Sequence, residues 1–355
     1  MSSESLIAPL VEEGLDKLLQ RDIENESTKA GILRGGNTGI YIKETNQIFG
    51  KCARQTFARF KGITLEQIDP SRKLMFMAGV GNEDLWIDML KESYTGVIKA
   101  EEETPTSWKT AKGTLVTGRP DIVLCKEDST PVRGIELKLV CSVWTARDTL
   151  FEDTPKFEHL CQSAHYSWQL DVPFELWYTS RSDYHMNPIL ERLMPKDSPY
   201  IEYAYYTLTP STRAKSGYSK KRIDKQFLND IKSTYKGMEL NGDRVVRDPL
   251  KILPFMVGFV LTWAPNGHLV YTSVSTGNTV ETIITKQRIK DFYELVDTME
   301  ETQTLPPLVT GIKGNGEKLN YSPEMYSALA EINQQTSSFS SWWSLVEAKF
   351  SKEEV

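Results

Sequence analysis

Residues 114–142 read TLVTGRPDIVLCKEDSTPVRGIELKLVCS, two alternating, β-branched runs around the polar segment Lys126 to Thr130. That pattern predicts a β-hairpin. In a symmetric hairpin the turn centres between Asp128 and Ser129, and Asp121 stands directly opposite Glu136. Opposed residues share a face of the sheet, with Cβ atoms roughly 4.5–5.5 Å apart. On the second strand Glu136 and Lys138 project together, while Leu137 points to the other face, into the core. Two carboxylates and one ammonium then converge on a single point. Carboxylates held that close repel each other unless a cation lies between them. A hard divalent ion such as Mg²⁺ suits carboxylate, carbonyl and water oxygens, and the backbone carbonyl of Leu137 is a further candidate ligand. Lys138 is placed to orient an attacking water and to stabilise developing negative charge. These parts suit metal-assisted hydrolysis of a phosphodiester. An isolated E-x-K on a strand usually means a solvated ion pair. Here Gly118-Arg119-Pro120-Asp121 lies in matching register on the partner strand, which raises the case for chemistry.

Around this hairpin the chain alternates helical and extended patterns. Leu6, Leu10, Leu15, Leu18 and Leu19 recur at helical spacing over 4–22, and Asn25 to Gly39 is a polar, Gly- and Thr-rich loop. Helices are predicted at 52–61, 72–91, 155–170, 285–301 and 341–350, and strands at 173–179, 252–263 and 268–275. The alternation predicts an α/β fold. No linker cleanly divides the chain, so the boundaries expected are an N-terminal helix and loop over 1–44, a domain over 45–310 with an insertion at about 182–250, and a C-terminal tail over 311–355. Trp342 and Trp343 in that tail read as packing or a subunit contact.

The composition is that of an ordinary globular chain. It has 355 residues, 39% hydrophobic, with 42 Lys and Arg against 48 Asp and Glu, a net charge of −6. No stretch approaches the ~20 apolar residues of a membrane span. The acidic start, MSSESLIAPLVEEGLDKLL, is unlike a secretory leader. The four cysteines, Cys52, Cys125, Cys141 and Cys161, are scattered without a C-x-x-C pair, which fits a reducing compartment better than a disulfide scaffold. The acidic balance lends no support to bulk attraction for nucleic acid, yet a metal site requires some of those acids and inverts the local sign.

Asp121 followed by Glu136-Leu137-Lys138 resembles the signature of the PD-(D/E)XK nuclease superfamily, and further segments resemble its RecB-like and lambda-exonuclease-like branch. Glu158 to Tyr166, EHLCQSAHY, contains the Q-x-x-x-Y motif on a predicted helix after the E-x-K strand, with Gln162 and Tyr166 on one helix face. His165 is a candidate to face the same cleft, and His159 reads as structural. Phe76 to Glu83, FMAGVGNE, resembles the helical G-x-x-x-(H)-E element. Asn82 stands where histidine is usual, and the resemblance carries the metal role to Glu83. Gly50-Lys51-Cys52-Ala53-Arg54-Gln55 resembles the C-x-R segment of phage and CRISPR-associated relatives, and Ile289–Pro307 the helix and Pro-rich stretch before their iron–sulfur cluster. No cysteine follows Cys161, so the reading is a family core with no iron–sulfur cluster and with Cys52 as a buried remnant.

The resemblance implies a restriction-endonuclease-like core, a central mixed β-sheet flanked by helices, with an insertion and a C-terminal extension. It implies a Mg²⁺- or Mn²⁺-dependent exonuclease acting at DNA ends in phage-type recombination, repair or DNA degradation. The catalytic residues would be Asp121, Glu136, Lys138, Gln162 and Tyr166, and the metal ligands Glu83, Asp121, Glu136 and Leu137. Phosphate contacts would come from Arg54, Arg119 and the basic stretch 213–225, with Lys220, Lys221 and Arg222 beside Tyr218. The partners implied are DNA, with a second copy of the chain or a recombination protein, and no membrane; the compartment is the cytoplasm, that of the host for a viral protein. Two other readings stay open: a structure- or sequence-specific endonuclease on the same core, and a catalytically degenerate DNA-binding subunit.

Overall fold

Fourteen strands form among the described residues: β1 (Leu33–Arg34), β2 (Gly39–Ile42), β3 (Gln47–Gly50), β4 (Val97–Ala100), β5 (Thr106–Lys109), β6 (Leu115–Gly118), β7 (Ile122–Cys125), β8 (Pro131–Val140), β9 (Phe174–Ser180), β10 (Met238–Asn241), β11 (Arg244–Arg247), β12 (Met256–Trp263), β13 (His268–Ser273) and β14 (Thr279–Thr285). The helices with described bounds are α1 (Ala53–Phe60), α2 (Pro70–Lys91), α3 (Phe157–Leu170), α4 (Lys286–Thr302), α5 (Ala330–Gln335) and α6 (Phe339–Phe350). The structure, a computed structural model, describes residues 30–63, 65, 70–100, 103–140, 154–180, 238–241, 244–247, 256–274, 276–319 and 328–350, together with Lys17. Among these, no helix is long and apolar enough to cross a membrane. The basic stretch with Lys220, Lys221 and Arg222 lies outside the described residues, as does the predicted helix over 4–22 apart from Lys17, itself helical.

The largest sheet has seven strands among the described residues, in the order β14-β13-β12-β9-β8-β7-β4. Its pairs are antiparallel except the central pair, where β8 and β9 run parallel. The molecule is thus a mixed α/β protein built on a large mixed sheet. The hairpin read from 114–142 forms between β7 and β8. Ile122 pairs with Ile135, Val123 with Gly134 and Leu124 with Arg133, a register that sets Asp121 across from Glu136 one step further. The turn is not symmetric. A bulge between Leu124 and Cys125 brings Cys125 opposite Pro131, and Ser129 takes up the reversal with φ of 67°.

Period-2 alternation sends the two sets of β8 side chains to different layers. Ile135 and Leu137 join Ile122 and Trp86 in a small core under α2, with Ile87, Leu90 and Trp177 packed on it. The other face of the sheet meets α3, and α4 packs beyond it against α3, α1 and β2. Phe174, Leu176 and Tyr178 of β9 share the main core there with Leu160, Ala164 and Tyr166 of α3 and with Ile289, Phe292 and Val296 of α4. In α4 those apolar residues recur at three- and four-residue intervals, and Thr285 Oγ1 caps its start by accepting from the N–H of Arg288 (3.2 Å).

Described residues before 45 and after 310 are part of that same core. β1 pairs in parallel with β6, and Leu33 and Ile40 are core residues. At the other end, Phe339, Trp342 and Val346 of α6 are buried, and Phe57 of α1 packs edge-on against Phe339 and Trp343. Trp342 therefore packs the core.

Candidate active site

The parallel pairing at the middle of the sheet places Glu136 and Lys138 beside Leu176 and Tyr178, on the face covered by α3. Glu136 is fully buried, and Lys138 Nζ donates a hydrogen bond to Glu136 Oε1. Glu136 Oε2 is buried and has no hydrogen-bond partner among the described residues. A buried carboxylate oxygen without a donor is costly, which favours a proton or another positive partner at this atom. Asp121, just before β7, accepts the backbone N–H of Leu137 through Oδ2 (2.6 Å). In a strand the N–H and C=O of one residue face the same neighbour. The Leu137 carbonyl therefore points to the side of Asp121, beyond the last paired residue of β7.

Burial pushes the Glu136 carboxyl up from its ordinary 4.5 to about 8, helped by the charges of Asp121 and Glu83 and opposed by Lys138. Burial pulls Lys138 down, but Glu136, Asp121 and Glu83 outweigh it and its pKa is raised. Glu83, on α2, is thus close enough to act on both electrostatically. Even so, the three carboxylates are not drawn together as one ligand set: among the described residues no group of three or more His, Cys, Asp or Glu side chains is gathered to hold a metal. Asn82, in the place of the usual histidine, accepts from Thr179 Oγ1 (3.3 Å).

Gln162 and Tyr166 meet on α3 as their spacing predicts, Gln162 Nε2 donating to the Tyr166 hydroxyl (3.3 Å). Burial raises the tyrosine pKa, and the charges of Glu136 and Asp121 add to it, which places the phenol within their field. Its ring lies over the backbone of Gly118, where a Cβ would stand 2.3 Å from the Tyr166 ring. Only glycine at the first position of Gly118-Arg119-Pro120-Asp121 leaves room for that phenol. Arg119 is exposed between β6 and β7.

Two expected roles are corrected. Arg54 is 6% exposed, and its guanidinium is engaged inside the protein: Nε donates to the carbonyl of Pro306 (2.8 Å) and Nη1 to Asn333 Oδ1 (3.3 Å). It ties α1 to the C-terminal segment instead of meeting a phosphate. His165 faces away from the carboxylates. It accepts from Trp108 Nε1 through Nε2 (3.3 Å) and meets Thr38 Oγ1 through Nδ1 (3.1 Å), and burial lowers its pKa to about 3, so it is a neutral structural imidazole. His159 has the structural role expected, with Nδ1 2.9 Å from the Tyr178 hydroxyl. Cys52 is buried at the start of α1.

The raised Glu136 pKa makes stability fall with pH. Between 4.5 and about 8 the folded protein holds a proton that the unfolded chain has released, so the contribution is complete below 4.5 and is lost as pH climbs through about 8. In chelator, the melting temperature is expected to decline across that window, and Glu136→Gln to flatten the decline. An unchanged slope in Glu136→Gln would place the proton elsewhere.

No family model matches the chain, and no curated protein matches it. A solved structure described as the crystal structure of SSO0001 aligns with 48% of this chain and 73% of that one, at 16% identity and a TM-score of 0.30. That likeness is too distant to bear on fold or function.

Proposed function

We propose that this chain is a divalent-metal-dependent deoxyribonuclease with a PD-(D/E)XK-type centre, acting at DNA ends. The observation that carries the reading is Glu136: a fully buried carboxylate with one oxygen on Lys138, the other without a donor among the described residues, and Asp121 across the strand pair. This donor set, two carboxylates and the Leu137 carbonyl, fits Mg²⁺ or Mn²⁺, which favour hard oxygen ligands. The chemistry such an ion supplies when bound is a lowered water pKa and neutralised charge on a phosphate oxygen. Lys138, held charged, orients the attacking water and stabilises the charge that builds on the phosphate. Gln162 and Tyr166 brace the α3 side of the centre, and exposed Arg119 stands two residues from Asp121 to take a backbone phosphate. The preference for ends rests on the resemblance to lambda-exonuclease-like members.

A second reading is a degenerate, DNA-binding member of the same fold. It is favoured by the engagement of Asn82 with Thr179 and by the lack of a three-ligand cluster among the described residues. End-labelled linear DNA and covalently closed circular DNA, incubated with Mg²⁺ or Mn²⁺, separate the readings. An end-acting nuclease degrades the linear form, spares the circle and stops in chelator. Cleavage of the circle points to an endonuclease. Inertness on both, together with no stoichiometric Mn²⁺ binding by calorimetry, overturns the nuclease reading.

A further inference from the structure

Across α3 from Gln162 and Tyr166, three tryptophans from separate elements are partly buried against the core: Trp108 on β5, Trp168 on α3 and Trp263 at the end of β12. The Trp108 and Trp168 rings lie 5.4 Å apart at 58°. Lys290 Nζ is 5.1 Å from the Trp168 ring and Lys286 Nζ is 5.3 Å from the Trp263 ring. The two lysines are four residues apart on α4, hence on one face, and they join the indoles into a row. Two of the indoles are tethered by their N–H groups, Trp108 by His165 (3.3 Å) and Trp263 by Ser167 Oγ (3.2 Å). The acids next along α4 are occupied elsewhere. Asp291 pairs with Lys43 and accepts from Gln287, and Glu294 accepts the N–H of Ala111. The row therefore sets two ammonium groups on its indoles. It begins two strand positions (~7 Å) along β5 from Thr106, the partner of Gly118.

We propose that this tryptophan–lysine row binds single-stranded nucleic acid, its indoles stacking bases and its lysines pairing with phosphates. Flat π-faces beside ammonium groups match a strand that carries a base and a charge at each step. A duplex matches less well, because its bases are already stacked on each other and cannot lie on an indole. An acidic peptide would engage the lysines alone. The choice of nucleic acid rests on the nuclease reading above.

The test uses the full chain in chelator and a fluorescein-labelled oligo-dT of about 20 nucleotides. Anisotropy should show binding to the oligo-dT that exceeds binding to a duplex of equal length. The pair Lys286→Glu and Lys290→Glu should weaken it roughly tenfold or more, and reduce the slope of log affinity against log salt by about 1.4. Trp168→Ala should weaken it about 5- to 150-fold. The lysine pair keeps the test decisive if that variant fails to fold, which circular dichroism would reveal. Unchanged binding in the lysine pair overturns the proposal, as does displacement of oligo-dT from the row by polyglutamate at equal charge concentration. Mn²⁺-dependent hydrolysis of the p-nitrophenyl ester of thymidine 5′-phosphate, too short to reach the row, should be unaffected in the lysine pair. If the unaltered protein fails to cleave that ester while the lysine pair still loses oligo-dT, the nuclease reading falls and the row stands.

Discussion

Lys138→Ala is expected to slow metal-dependent DNA cleavage by roughly 10³-fold, the scale of losing one charged group that acts on the transition state. Lys138 Nζ rests on the buried Glu136 Oε1, and the neighbouring carboxylates keep it protonated. In the proposed mechanism it would therefore serve as a charge and hydrogen-bond donor to the attacking water and the phosphate, and not as a neutral base. Its removal leaves the oxygen donors of Asp121, Glu136 and Leu137 in place. Mn²⁺ binding, measured by calorimetry above pH of about 8, where Glu136 has released its proton, should survive in Lys138→Ala. Asp121→Asn and Glu136→Gln, by contrast, should lose both Mn²⁺ binding and cleavage. That pattern separates a residue that acts on the reaction from residues that hold the ion. Cleavage at the unaltered rate by folded Lys138→Ala would remove Lys138, and the mechanism with it.

The local parts of this centre were legible because short-range geometry dictates them. Strand alternation alone puts Glu136 and Lys138 on one side of β8 and Leu137 on the other. Helical spacing alone puts Gln162 beside Tyr166, as their hydrogen bond shows. The register of Asp121 against Glu136 agrees with the hairpin reading even though the turn does not, since the bulge between Leu124 and Cys125 acts only at the turn end. What escaped was non-local. Nothing near Arg54 in the chain reveals that its partners are Pro306 and Asn333, 252 and 279 residues on. The loop reading of 25–39 missed β1, because its pairing partner β6 lies about 80 residues away and a two-residue strand leaves no periodicity to detect. The row of Trp108, Trp168 and Trp263 comes from three elements that only the sheet order and the seating of α3 bring together. Gly118 could be placed in a motif, but the reason for glycine there, the overlying ring of Tyr166, belongs to tertiary packing.

The same non-local packing makes the C-terminal segment a determinant of stability. Trp342→Ala is expected to cost about 3–5 kcal/mol, the range for truncating a large aromatic in a core, against a total of about 5–15 kcal/mol for a typical domain. Trp342 is 0% exposed, its ring lies 6.3 Å from that of Phe57, and its indole N–H donates to Asn333 Oδ1 (2.9 Å). That same oxygen accepts from Arg54 Nη1, so one amide joins α6, α5 and α1. Trp342→Phe keeps most of the apolar contact and loses the N–H. A cost of about 1–2 kcal/mol should result, a hydrogen bond lost at a buried amide. Arg54→Lys cannot reproduce both bonds of the guanidinium and should cost about 1–3 kcal/mol, without changing affinity for oligonucleotides. Leu345→Ala, on the exposed side of α6, should fall within about 0.5 kcal/mol of the unaltered protein. Urea midpoints for the four variants supply the comparison. A Trp342→Ala midpoint equal to that of the unaltered protein would make the C-terminal segment an appendage, and weaker oligonucleotide binding in Arg54→Lys would return Arg54 to the phosphate-contact role that its burial denies.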